Sequence, residues 1–302
     1  MAHEMPRVEG VTHRFVSAGK LNFHVAEAGE GDPIVLLHGF PQHWYEWRLV
    51  IPQLASRYRV IAVDLRGFGW TDIAWEGFEK ENMADDIVRL CEALELDRIR
   101  LVGHDWGGWI GYLLALRRPD LIERLVVLSV PPPWIPPSLG RLAALRRLRY
   151  QLPIAGPFGA KLFRRRGFVI GKVKRWSTAQ GNLGPAIRRI YARDLRASTR
   201  ARAAMLLYRT FLLHELWPIA RGRYRGKRLE VPTLVLHGGK DRILTPRLYE
   251  DIGRDADDLR VERVSRAGHL LPEERPDEVA ARILEFCGAP SPSAPVSQGA
   301  GS

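Results

Sequence analysis

Only two cysteines, Cys91 and Cys287, occur in 302 residues. Both sit in apolar helical patterns without motif spacing, so reduced core residues are expected rather than a disulfide or a metal pair. Metal is not implied. No run of about eighteen apolar residues is present, the length a membrane-crossing helix requires. Residues 1–6 lack a basic region followed by an apolar one, so no leader is expected and the protein reads as soluble and cytoplasmic. No internal repeat is visible. Acidic residues are scarce in one region alone: residues 131–230 carry 23 Lys or Arg against Asp194, Glu215 and Glu230, a balance of +20 that leaves −8 for the remainder. Such a basic segment suits an anionic substrate, a membrane surface or nucleic acid, but the arginines are dispersed and no nucleic-acid motif accompanies them. An arginine-rich solvated surface is the simpler reading.

What is present is a repeated alternation of short apolar runs with helical patterns. Residues 11–18 and 21–28 read as strands parted by Gly19-Lys20, a hairpin signal. A fully apolar run follows at 34–37, further strand-like runs at 60–63, 99–102, 125–130, 231–236 and 259–264, most of them largely apolar, and helices are predicted at 84–94, 108–116 and 277–286. Strands apolar on both faces and separated by helices predict a mostly parallel central sheet flanked by helices, an α/β class. The alternation breaks at Pro131, where Pro131-Pro132-Pro133-Trp134-Ile135-Pro136-Pro137 opens a helical, basic stretch. The expected organisation is therefore a core at 1–130, an inserted helical cap at 131–230, the rest of the core at 231–287 and a disordered tail at 288–302.

The most informative stretch is Gly103-His104-Asp105-Trp106-Gly107-Gly108. A strand, a sharp turn and a helix meet here, with small residues two before and two after Asp105, the pattern of a nucleophile elbow. An aspartate at the tip is already ionised at neutral pH, so it suits displacement at a saturated carbon and formation of an alkyl ester. An aspartate in this place counts against esterase, lipase and peptidase chemistry. Asp241 and His269 also follow apolar strands, which puts all three residues at the carboxyl edge of a parallel sheet. The chain order is nucleophile, acid, histidine. The strand at 34–37 runs into His38-Gly39-Phe40-Pro41, which can leave the Phe40 N–H free for an oxyanion. His38 is read as a loop brace, Trp44 and Trp47 as packing aromatics, and Asp64 with Arg66 as a structural ion pair.

On His38-Gly39-Phe40-Pro41, the Gly103 to Gly108 motif, Gly238 to Asp241 and Gly268-His269, the chain from Val11 to Cys287 resembles the α/β-hydrolase superfamily and, within it, the epoxide hydrolases. The resemblance implies the α/β-hydrolase fold, Asp105, Asp241 and His269 as the catalytic triad, and the N–H groups of Phe40 and Trp106 as the oxyanion hole. It further implies two cap tyrosines that bond the epoxide oxygen, matched by Tyr150 (before Gln151) and Tyr208 (before Arg209), with Tyr191 in reserve. No cofactor is implied. The expected partner is a small-molecule epoxide converted to a vicinal diol, without nucleic acid or a membrane span; a homodimer is left open. Haloalkane and fluoroacetate dehalogenases share the aspartate nucleophile and stand as the alternative, with a non-catalytic ligand-binding hydrolase scaffold as a third reading.

Overall fold

The structure is a computed structural model, and it describes residues 4–134, 146–165, 167–178 and 182–288. Eight strands form one sheet: β1 Thr12–Ala18, β2 Leu21–Ala28, β3 Pro33–Leu37, β4 Arg59–Val63, β5 Ile99–His104, β6 Ile122–Leu128, β7 Thr233–Gly238 and β8 Leu259–Val264. Their order is β1-β2-β4-β3-β5-β6-β7-β8. β2 pairs antiparallel with β1 and β4, and every other pairing is parallel.

The apolar runs become central strands because both sheet faces are covered. Side chains alternate across the sheet. Val35, Leu37, Ile61, Val63, Leu101 and Val127 face the helices Lys80–Ala93 and Trp106–Arg117. Ile34, Leu36, Val60, Ala62, Val102 and Val126 face Val279, Ile283 and Phe286 of the closing helix Pro276–Gly288. Cys91 and Cys287 are free and buried, one on each side. The predicted strand positions agree to within a few residues, and the 84–94 helix starts earlier, at Lys80.

One pairing differs from expectation. Arg66 forms its ion pair with Asp86 of the Lys80–Ala93 helix, at 2.7 Å, and not with Asp64. Asp64 is fully buried and already holds the His24 ring at 2.7 Å together with the backbone N–H groups of Trp44 and Trp70. These donors hold its carboxyl below the ordinary range despite burial, which alone would raise it. A guanidinium has no place left to bind there.

Between β6 and β7 the described residues are helical: Gln151–Ala155, Gly159–Arg164, Phe168–Trp176, Pro185–Asp194 and Ser198–Thr210, the last continuing through a π-helical turn at Phe211–Glu215 into Leu216–Ala220. No described helix is long and apolar enough to cross a membrane. The 288–302 tail lies outside the described residues apart from Gly288. The helical segment is tied to the sheet body by buried polar links. Lys80 Nζ meets Glu215 Oε1 at 2.9 Å and donates to the Leu207 carbonyl at 2.7 Å. Burial pushes the Lys80 ammonium below its ordinary pKa, and Glu215 opposes that. Glu215→Ala leaves this cation unpaired and is expected to cost about 3–5 kcal/mol, the usual penalty for breaking a buried pair. Urea unfolding would read it as a lower midpoint at unchanged slope; an unchanged midpoint would mean that the pair does not hold the segment down.

Candidate active site

The site is built on the end of β5. Asp105 adopts φ 48° and ψ −116°, the left-handed side of backbone space that most side chains avoid. Close backbone approach around it demands glycine: a Cβ at Gly103 would lie 2.4 Å from the Gly107 carbonyl oxygen, and one at Gly107 would lie 2.3 Å from that of Leu37. The turn therefore holds the Asp105 side chain above the sheet edge. Its Oδ2 accepts the Phe40 N–H at 3.0 Å, from the loop after β3. Trp106 opens the following helix, whose first-turn N–H groups have no intrahelical partner.

Asp241, after β7, and His269, after β8, arrive at the same edge. His269 Nδ1 lies 2.8 Å from Asp241 Oδ2, while its Nε2 faces Asp105 Oδ1 at 3.7 Å. Asp241 is held from behind, its Oδ1 accepting the N–H groups of Ile243 at 2.7 Å and Leu244 at 3.0 Å. Burial alone would lower the His269 pKa, but the Asp241 and Asp105 carboxylates overcome it and raise the imidazole to about 10. For Asp105, burial pushes upward and His269 pulls downward more strongly, so its pKa falls below the ordinary value. The resting site is thus an imidazolium between two carboxylates.

A supporting pair beneath the site escaped the sequence reading. His104 Nδ1 meets Glu46 at 3.0 Å and its Nε2 meets the His269 carbonyl at 2.9 Å, while the other Glu46 oxygen accepts the Gly39 N–H at 3.1 Å. Both side chains are fully buried. The pair locks the Gly39-Phe40 loop, the elbow and the His269 backbone to each other. Its only sequence signals are an acid inside Trp44-Tyr45-Glu46-Trp47 and the histidine beside Asp105. His38 braces the loop as expected, accepting the Leu65 N–H at 3.0 Å, and Trp44 and Trp47 are buried in the core.

From the helical segment, Tyr150 and Tyr208 meet near Asp105, their rings edge-on with centroids 6.4 Å apart. The Tyr208 ring lies edge-on to Phe40 and Trp106 at centroid distances of 5.0 and 5.5 Å, and Tyr150 packs on Trp176 at 5.3 Å. Burial first, then the neighbouring phenol for Tyr208 and the Asp105 charge for both, raise the two phenols above their ordinary pKa, so both keep their protons at neutral pH. Tyr191, the reserve candidate, is placed elsewhere. It is fully buried and its hydroxyl is bonded to Glu273, which also holds Arg48.

Asp105, Trp106 and Tyr150 line a cavity of about 230 Å³ whose other walls are mainly apolar, among them Trp109, Trp134, Phe211 and Leu244. Among the described residues the indole N–H groups of Trp109 and Trp134 have no hydrogen-bond partner, and that of Trp106 lies near the Tyr208 phenol without hydrogen-bond geometry.

Comparison with known proteins agrees with this geometry. A family model described as alpha/beta hydrolase fold matches residues 32–276. The chain is 45% identical over 122 residues to the soluble epoxide hydrolase of Corynebacterium sp. (strain C12), a match covering 40% of this chain and 43% of that protein. It therefore spans less than half the length of that curated relative. Epoxide hydrolase 3 of Xenopus tropicalis is 28% identical over 284 residues, 88% of this chain and 74% of that protein. Among solved structures, the epoxide hydrolase CorEH without ligand superposes with a TM-score of 0.80 at 29% identity, covering 92% of this chain and 99% of that one. With an eight-stranded, mostly parallel sheet, an elbow at the end of β5 and a family match across most of its length, the chain belongs to the alpha/beta hydrolase fold family.

Proposed function

We propose that this protein is an epoxide hydrolase that forms vicinal diols through a covalent ester on Asp105. The observation that carries the proposal is an ionised carboxylate at an elbow, facing the His269–Asp241 pair and roofed by two neutral phenols. The names of the relatives above support it. One Asp105 oxygen attacks an epoxide carbon, the carbon–oxygen bond of the ring breaks, and the opening oxygen takes hydrogen bonds and a proton from the Tyr150–Tyr208 pair. With the Asp105 charge lost to the ester, the His269 imidazolium gives its proton back to the phenolate; the neutral imidazole, oriented by Asp241, then removes a proton from water, which attacks the acyl carbon of the ester. The Phe40 and Trp106 N–H groups hold the resulting oxyanion. The ester bond breaks, the departing alkoxide takes the proton from His269 to complete the diol, and the proton left on the Asp105 carboxyl passes to His269, which restores the carboxylate and the imidazolium. The helical segment between β6 and β7 serves as the cap that carries the two phenols.

The unpartnered indole N–H groups at the cavity wall are also donors that a departing halide would use, so dehalogenation is the second reading. A panel of terminal and aryl epoxides beside chloro-, bromo- and fluoro-substituted substrates separates the two, with Asp105→Asn as the blank. Asn is suited to the blank because it tolerates positive φ. Diol formation that disappears in the blank is the expected result. Halide release without diol would transfer the assignment to dehalogenase, and binding of substrates without consumption would reduce the site to a receptor.

A further inference from the structure

Beside the catalytic cavity lies a larger groove of about 1030 Å³, and Tyr150 and Ile243 are walls of both. Among the described residues six cationic side chains line it, Arg146, Arg147, Arg149, Lys172, Arg175 and Arg242, with no acidic one. The six come from three separate places: the turn before Gln151, the Phe168–Trp176 helix and the loop after Asp241. Several arginines elsewhere are neutralised, as in Arg66–Asp86, Arg100–Glu123, Arg117–Asp85, Arg223–Glu81 and Arg282–Glu278. Among the described residues, none of the six in the groove makes a salt bridge; Arg147 donates to the Arg242 carbonyl, and Lys172 sits over the Tyr150 ring at 5.1 Å.

Like charges gathered in one concave site repel each other and raise the local concentration of anions. Guanidinium groups are suited to carboxylate, sulfonate and phosphate, which they bind in a two-pronged fashion. The groove floor includes Pro153 and Trp176, apolar surface for a hydrocarbon chain. Because Tyr150 separates the groove from the Asp105 cavity, an anion held here is attached to the molecule whose oxygen Tyr150 meets. We infer that the groove binds the anionic end of the substrate, so that epoxides bearing a carboxylate, sulfonate or phosphate on a chain are the preferred class. The inference rests on the epoxide hydrolase reading for its reaction, but not for its binding site.

The test compares an epoxyalkanoic acid with its methyl ester in the wild-type protein and in the triple variant Arg146→Gln/Arg149→Gln/Arg175→Gln, with thermal melting as the folding control. At low salt kcat/KM is expected to favour the acid, and added salt to erode the preference. In the variant the acid-to-ester ratio should fall about ten-fold, a few-fold for each exposed charge pair lost. Calorimetry with decanoate, which has no ring to open, should show the same weakening. If no epoxide is opened yet decanoate binds the wild type and not the variant, the reaction assignment fails and the groove assignment stands. Equal kcat/KM for acid and ester, with decanoate binding alike in both proteins, overturns the inference. So does variant-sensitive binding of duplex DNA with no preference for the acid, which would make the groove a polyanion site.

Discussion

In a His269→Gln variant the Asp105 ester is expected to accumulate, detected as a gain of one whole substrate mass on the intact protein, while diol release falls by about 10²- to 10⁴-fold. The reason is geometric and electrostatic. Asp105 owes its position to the elbow and the Phe40 N–H, neither of which depends on the imidazole, so its attack on the ring survives. Hydrolysis of the ester does not, because no other imidazole faces Asp105 Oδ1 as His269 Nε2 does, at 3.7 Å. The absence of any adduct during slow turnover would rule out the two-step route. A pH signature accompanies it. In the free protein His269 titrates at about 10, raised by Asp241 and Asp105 against the effect of burial. Esterification removes the Asp105 charge, so the imidazole becomes a weaker base and releases its proton. In single-turnover fluorescence, ester hydrolysis in the wild type should therefore rise with pH through a pKa below 10, whereas ester formation stays flat across neutrality because the Asp105 pKa is lowered. Stability follows the free-protein value: the imidazolium's contribution is complete below pH 6.5 and is lost as the pH rises through about 10.

The second large effect belongs to the phenols. The double variant Tyr150→Phe/Tyr208→Phe is expected to lose ring opening by at least about 10²-fold, the low end for a positioned proton donor, without loss of fold. The rings stay packed against Trp176, Phe40 and Trp106, so only the hydroxyl groups are removed. The loss should fall in ester formation, with no adduct accumulating even when His269→Gln is added. Full epoxide activity in the double variant would mean that the opening oxygen is met by another group; the unpartnered Trp109 and Trp134 indoles at the cavity wall would then be the next candidates.

Much of the scaffold was legible because it is written in short-range terms. β3, β4 and β7 are apolar on both faces and could be nothing but central strands once helices alternate with them. The elbow was legible because steric demands at Gly103 and Gly107 act over a few residues, where backbone meets backbone. Partner choice among charged side chains was not. Spacing along the chain suggests that Arg66 pairs with Asp64 two residues away, but the strand end directs Asp64 to His24 and Arg66 to Asp86. Tyr191, the reserve candidate, is removed from the site by Glu273, 82 residues on, which bonds its hydroxyl. The arginines that seemed dispersed along the chain converge in the groove beside Tyr150.

By itself, then, the sequence determined the α/β layering, the carboxylate at the elbow and the order in which Asp105, Asp241 and His269 arrive at one edge of the sheet, since each follows from local apolar period and backbone sterics. Only the tertiary structure decided which buried groups support them, where the helical segment sets its two phenols, and which cations go without a counter-charge. Those outcomes depend on how elements remote in the chain pack across a few ångströms, and a pairing energy that falls steeply with distance and burial cannot be read from spacing along the chain.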